Sequence, residues 1–401
     1  MSNTLLTTAK ITNEALFVLF NELTFTRHIN RQYDKEFGIA GDKIGKTINV
    51  RKPPRYLGRR TEALSVENSV ESYVPLTLTT PYGVDVSFSN IDLTTSVDMF
   101  SERFIKPAMV ALANNIDFDG IAQVQNVYQA VGTPGTTPST SNIYLNAAAV
   151  LDYASAPRTD RFICLNPTAN ATIIPALQGL FNPTAKISDQ YEKGLMGKGA
   201  LGFDWYMDQN VVAHTTGTYG GTPVVNGAGQ TGASLVTNGW TATTTVLNAG
   251  DIFTIAGVYS VNPLNRTSTG QLQNFVVTAN TVTDGSGNST IAISPSIITS
   301  GQFQTVTASP ANSATITVLG SSAGSFVNNV AFHKDAFAFA CCDLMLPRGV
   351  HEAARASDEQ TGISIRMVTA YDINTNFMPT RLDVFGGWVT LRPELACRVA
   401  G

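Results

Sequence analysis

Three sets of residues in this chain have types and spacings that could do chemistry. The first is AGDKIGKT, Ala40 to Thr47, which fits a loosened P-loop pattern with Gly45, Lys46 and Thr47 as its G-K-T. A working P-loop follows a buried strand and opens a helix, so that backbone N–H groups converge on a phosphate. Here a charged, helix-like segment, NRQYDKEF, comes before it, and an extended run with two prolines comes after. Position 40 is Ala where the pattern wants Gly, so nucleotide chemistry is the lesser reading. The second set is the histidines, His28, His214, His333 and His351, which fall in unrelated segments. HEAAR at His351 lacks the second histidine of a zinc motif, and no G-x-S-x-G elbow occurs. No metal, cofactor or catalytic residue is assigned.

The third set is KTINVRKPPRYLGRR, Lys46 to Arg60, with six basic residues and no acidic one. It could bind nucleic acid, cradle a phosphate, or dock on protein. The next stretch, TEALSVENSVES, carries Glu62, Glu67 and Glu71 and no base. Opposite charges on successive parts of one element favour docking against a second copy, since such patches set register and steer encounter. Arg51, Lys52, Arg55, Arg59, Arg60, Glu62, Glu67 and Glu71 are the candidate contact residues.

These charges need elements to position them. Residues 4–31 show apolar positions Leu5, Leu6, Ile11, Ala15, Leu19 and Leu23 at mostly helical spacing. From Thr47 the period changes to two, and the runs at 48–50, 74–78 and 84–88 predict a long β-hairpin over 46–90 with a polar tip. Ser96 or Asp98 then opens a helix to about residue 130, with Phe100, Phe104, Ala108, Leu112 and Ile116 on one face. Pro107 is expected to kink or split it. Helices are expected over 145–154 and 169–181, with RFICLN as a buried strand between them.

Between Val211 and Val330 only Asp251, Arg266 and Asp284 carry full charge. Runs such as DIFTIAGV, QNFVVTAN and ATITVLG alternate with period two, and TVTDGSGNSTIAIS holds an Asp-Gly hairpin turn. This predicts an inserted all-β module of about six strands, a small barrel or sandwich. The remaining segment, ISIRMVTAYDINTNFMPTRLDVFGGWVTLRP, reads as a hairpin of two long strands.

Composition sets the class. The chain has 401 residues, 14% of them charged, and a net charge of -4. That length fits two or three domains. The net charge argues against a general nucleic-acid binder, and the sparse charge favours association. Cys164, Cys341, Cys342 and Cys397 form no C-x-x-C pair and are expected to be buried thiols in a reducing compartment. The run ALFVLF is far too short to span a bilayer. A cytoplasmic protein with no membrane anchor is expected.

The order of parts, with two stretches in particular, resembles a known family. The stretches are RFICLNP followed by LFNPTAKISDQYEKGLMGKGALGFDWYMDQNVVAHTTG, and RLDVFGGWVTLRPELACRVAG at the close. They are similar to the major capsid proteins of tailed double-stranded DNA phages, the Hong Kong 97-type fold. Both stretches are similar to the short-tailed branch whose coat protein carries an inserted β-domain. The resemblance implies an α+β fold over nearly the whole chain. Residues 1–45 would be the N-terminal arm, 46–90 the extended loop, and 91–135 the peripheral domain with its spine helix. Residues 136–210 and 331–380 would form the axial domain, 211–330 the inserted barrel-like domain, and 381–401 the return to the peripheral domain.

The function implied is self-assembly, through hexamers and pentamers, into an icosahedral virion shell around packaged DNA. Assembly would take place in the host bacterial cytoplasm. The implied partners are further copies, a scaffolding protein, the portal protein, and double-stranded DNA bound without sequence specificity, with no membrane. Glu14 and Glu22, eight apart on the first helix, would contact the scaffold. Some members crosslink a loop lysine to a neighbour's asparagine, for which Lys52 is the only loop-tip lysine, but the branch resembled here does without it. The rival readings are a tail or decoration protein, against which the long helix argues, and the P-loop enzyme.

Overall fold

The computed structural model describes residues 8–32, 45–56, 58–59, 61–64, 66–89, 105–176, 199–358, 362–375 and 377–401. In chain order it begins with helix α1 (Thr8–Glu22) and strands β1 (Thr47–Arg51), β2 (Tyr73–Thr77) and β3 (Thr80–Ser89). Helix α2 (Lys106–Ala122), β4 (Ala130–Gly132), α3 (Ser141–Tyr153), β5 (Arg161–Leu165), α4 (Pro167–Ala176), β6 (Asp204–Met207) and β7 (Ala213–Thr215) follow. The low-charge segment holds β8 (Gly221–Val225), β9 (Gly232–Trp240), β10 (Thr245–Leu247), β11 (Ile252–Val261), β12 (Ser268–Val277), β13 (Thr281–Val282), β14 (Ser289–Ile297) and β15 (Ile316–Val318). The chain closes with β16 (Ser325–His333), β17 (Phe337–Cys342), β18 (Glu352–Asp358), β19 (Ile363–Thr369), β20 (Phe377–Thr390) and β21 (Ala396–Ala400).

These elements form two compact units. One comprises Met1–Val50, Tyr73–Ile121 and Phe337–Leu391; the other Arg51–Ser72, Ala122–Ala336 and Arg392–Gly401. The first is built on a five-stranded sheet in the order β17-β20-β19-β18, with β3 also paired to β20. Its strands are antiparallel, as in Val84 opposite Leu382 and Phe339 opposite Trp388. Helix α1 turns Thr12, Ala15, Leu16, Leu19 and Leu23 inward at helical spacing and packs on β18 and β19. Helix α2 buries Ala108, Met109, Leu112, Ile116 and Asp117.

Asp117 is an acid buried on an otherwise apolar face. Its carboxylate accepts the backbone N–H groups of Thr24 (2.6 Å), Phe25 (3.3 Å) and Thr26 (2.9 Å), together with the Thr26 hydroxyl (2.5 Å). Burial pushes its pKa up, and these donated bonds pull it back. The clasp seats Phe25 against Phe337 and Trp388, with ring centroids at 5.6 and 5.9 Å. Gly120 leaves room for that aromatic cluster, since a Cβ there would meet the Trp388 ring at 2.5 Å. The β1–β2 pair lays Val50, Leu76 and Leu78 on Ala338, Ala340 and Leu391.

The second unit has a six-stranded sheet with the path β4-β21-β16-β5-β6 and β7 also paired to β16. Helix α3 covers β21 through Tyr144, Ala147 and Leu151. From β7 the chain enters a second six-stranded sheet, in the order β15-β11-β12-β14-β9-β8. Its two edge strands meet. Val224 bridges Thr315, Val225 N–H donates to the Ala314 carbonyl at 3.0 Å, and Ser313 N–H donates to the Val225 carbonyl at 2.9 Å. The sheet therefore closes into a barrel, which removes its free edges. Trp240, Phe253, Phe275, Ile291 and Ile316 fill the interior.

At the barrel's base Asp251 is fully buried. It accepts from Gly217 N–H (3.0 Å) and Asn248 N–H (2.8 Å) and bonds His214 Nε2 at 2.6 Å. Beside it the buried Arg398 donates to the carbonyls of Gly250 (2.7 Å) and Gln125 (2.5 Å). Burial lowers its pKa to about 9.

Several expectations change. The first helix ends at Glu22, and a short 3-10 turn at Thr26–His28 follows, because the Asp117 clasp takes the N–H groups that a continuing helix would use. The expected 46–90 hairpin is shorter. Lys46 pairs with Leu78 and Lys52 with Ser72, while β3 leaves to pair with β20. Ser96, Asp98, Phe100 and Phe104 lie outside the described residues. Pro107 falls in the first turn of α2, where a missing N–H costs little, and the helix stops at Ala122.

The expected break at 380/381 is absent, since β20 runs unbroken from Phe377 to Thr390. Residues 337–391 join the sheet of the unit that carries α2, whereas 392–401 lie in the other unit, where β21 pairs with β16 and β4. The expected boundary at Val330 falls inside β16, which pairs with β7 at one end and with β5 at the other. Cys164, Cys341 and Cys397 are buried, and Cys342 is half-buried.

The barrel's closed hydrogen bonding and its own core predict that it folds alone. Residues 212–330, expressed as a fragment, are expected to give β-type circular dichroism and slow amide exchange. A random-coil spectrum would show that the barrel depends on the parent sheet.

Candidate functional site

The charged arm grows from the β1–β2 pair. Beyond Arg51, Pro53 and Pro54 lack N–H donors, and regular pairing stops until Tyr73. The candidate charges then divide into two groups.

One group turns toward its own subunit. Arg55 Nη2 meets Glu394 Oε1 at 3.0 Å with both side chains largely covered, and Arg392 Nε meets the same oxygen at 3.5 Å. Lys52 is half-buried beside them. Burial lowers its pKa, Glu394 opposes that shift, and Arg55 and Arg392 add to it. The carboxylate beside Lys52 is thus Glu394, already engaged by two guanidinium groups. Glu67 is half-buried within electrostatic reach of Arg266.

The other group faces solvent. Arg51 meets Glu71 at 3.4 Å with side chains 79% and 56% exposed, a geometry that contributes about 0–1 kcal/mol. Arg59 donates to the Glu62 carbonyl at 2.7 Å, which curls the tip, and the Glu62 side chain is exposed. Arg60 lies outside the described residues.

The sequence reading overlooked the apolar residues of this tip. Leu64 is 80% exposed and Val66 81%, with Val70 and Tyr73 also open to solvent. An exposed cluster of this kind marks an interaction surface more than a solvated loop does. The available signal was three aliphatics in a segment with no partner strand, and the charges around them masked it.

On α1, Glu14 and Glu22 are both exposed, and Phe17 between them is 68% exposed. The P-loop reading fails on geometry. Gly45 and Lys46 lead straight into β1, so no helix N-terminus stands behind Lys46, while Ala40 to Ile44 lie outside the described residues. Among the described residues no three His, Cys, Asp or Glu side chains gather as a metal site would need. His214 is tied to Asp251, and His333 Nδ1 accepts Asp335 N–H at 3.2 Å. No described helix is long and apolar enough to cross a membrane.

Residues 40–401 match the family described as P22 coat protein - gene protein 5. No curated protein sequence matches. Among solved structures, one from Mycobacterium phage Che8 is 11% identical, covering 94% of this chain and 90% of that one, with a TM-score of 0.46. One from Gordonia phage Cozz is 10% identical, covering 92% and 86%, with a TM-score of 0.41. The CUS-3 coat protein I-domain is 29% identical over 25% of this chain and 98% of that chain, with a TM-score of 0.20. With the family match running from before β1 to the last residue, the chain belongs to the P22 coat protein family and is a major capsid protein that forms a phage head shell.

Proposed function

We propose that this shell encloses packaged double-stranded DNA and is held together by the arm of one subunit docking on the next. The observation that carries the reading is the exposed apolar tip, Leu64 and Val66, flanked by the exposed charges of Arg51, Arg59, Glu62 and Glu71. Apolar contact supplies the affinity, and the charges set the register. Lys52 and Arg55, turned to their own cleft, root the arm. The protein performs no catalysis, binds DNA without sequence specificity, and assembles in the host cytoplasm with a scaffolding protein and a portal protein. The α2-bearing unit acts as the peripheral domain, and the unit with β21 and β16 as the axial domain carrying the barrel. Co-expressed with its scaffolding partner, the chain is expected to form closed shells visible by electron microscopy. A chain that stays monomeric with every component of a phage lysate would sink this reading.

The exposed face of α1 supplies the scaffold contact in this scheme. Glu14 and Glu22 are exposed about 80° apart around α1, with the exposed Phe17 one turn from Glu14, so this surface suits a basic segment that also offers an apolar residue at its edge. Glu14→Gln with Glu22→Gln is expected to weaken scaffold binding about three- to tenfold, as for two rim charges. Unchanged binding in a calorimetric titration would mark them as ordinary solvated glutamates.

A further inference from the structure

Within the second unit, Lys52 and Arg55 form one rim of a cleft of about 630 Å3 whose other walls come from α3, β11, β12 and β14. Its lining is rich in hydrogen-bond donors, among them the amides of Gln129, Asn146 and Gln304. Glu394 is the single carboxylate among the described lining residues. That carboxylate is already shared by Arg55 and Arg392. Among the described lining residues two cations, Lys52 and Arg55, stand against this one anion, and Arg392, outside the lining, draws on the same carboxylate. The next charged neighbours, Arg266 and Glu67, are of opposite sign and cancel.

The Lys52 ammonium has no hydrogen-bond acceptor among the described residues, and burial together with the two arginines makes its charge costly. Gln129 Oε1 is buried without a partner among the described residues. Cations that raise one another's cost in an open, donor-lined cleft are relieved by an anion that accepts from several sides.

We infer that this cleft binds a phosphate-class oxyanion, held between the Lys52 ammonium and the Arg55 guanidinium with neutral amide donors around it. Phosphate offers acceptor oxygens to donors on several walls at once, whereas a lone carboxylate offers only two. The phosphate could be a free ion or belong to a nucleic-acid backbone.

The test uses the full chain and inorganic phosphate, with thermal melting followed against chloride at equal ionic strength. Phosphate is expected to raise the melting temperature in a saturable way. Lys52→Gln is expected to weaken that effect at least tenfold. Asn146→Asp, an exposed change on α3 that leaves the arm untouched, is expected to do the same by adding a negative charge to the wall. A short DNA duplex that competes with phosphate would assign the site to a nucleic-acid backbone, and a duplex that does not compete would assign it to a free ion. The inference is overturned if phosphate acts no differently from chloride, or if both variants respond like the parent. It is also overturned if only a peptide of residues 61–71 gives a Lys52-dependent shift, since the occupant would then be a carboxylate from a second copy. Shell formation is scored separately, so failure here leaves the capsid reading standing.

Discussion

A chain carrying Leu64→Asp and Val66→Asp is expected to fold normally and fail to close shells. Both side chains are about four-fifths exposed in the single subunit, at 80% and 81%. Their replacement should leave the subunit's own melting temperature within about 2 °C, as for surface changes worth roughly half a kcal/mol. At a subunit contact the balance differs. Each new carboxylate would have to leave water for an apolar surface, at a cost of several kcal/mol. That cost recurs at every copy of the contact. Arg59→Glu is expected to give a milder defect that high salt softens, because exposed charges beyond about 8–10 Å are screened. Gel filtration and negative-stain microscopy would read both. Normal shells from the double aspartate variant would remove the arm tip from the contact.

The largest expected loss within the single subunit comes from Asp117→Ala. Removing this carboxylate strips the acceptor from three backbone N–H groups, at Thr24, Phe25 and Thr26, and from the Thr26 hydroxyl. Each orphaned donor costs about 1–3 kcal/mol where water cannot reach it. A loss of about 3–5 kcal/mol, rather than the full sum, is expected because the turn can relax toward solvent. Asp117→Asn should fall between, since it keeps one acceptor oxygen but sets an N–H2 group against backbone donors. The measurement is the urea midpoint, paired with protease cleavage after α1. An alanine variant as stable as the parent would show that Phe25 packing alone holds the arm.

How much of this was legible beforehand depends on how local each feature is. The runs DIFTIAGV, QNFVVTAN and ATITVLG announce β11, β12 and β15, because alternation is written in consecutive residues. The joining of β8 to β15 was not legible, because those residues lie far apart in sequence and share no pattern. The same holds for β3. Its Val84 and Val86 alternate as well as any strand, but nothing nearby says that β20 is the partner.

The C-terminal division was misread for a related reason. TRLDVFGGWVTLRP looks like one strand and is one, so no internal signal marks where the preceding segments belong. At the arm, charge was conspicuous and drew the assignment to Lys52 and Arg55, whose side chains turn into the cleft beside Glu394. Nothing in the run NNIDFDG around Asp117 marks it as buried. Its burial follows from the Thr24–Thr26 turn, some ninety positions earlier, and no local pattern records it.

The side-by-side pairing of β7 with β16 has a practical consequence. Ala213–Thr215 lie directly opposite Ser325–Val327, so the chain enters and leaves the barrel through two neighbouring strand ends. To the parent sheet the long excursion between them is a hairpin loop, and loop-closure entropy rises only with the logarithm of length. A foreign domain whose own termini lie equally close could be spliced between Thr215 and Ser325. It would need to present an acceptor where Asp251 stands beside Arg398, or else Arg398 would have to be exchanged for an apolar residue. With that one substitution, every copy of the subunit in a shell would carry the chosen domain at the same place in its sheet.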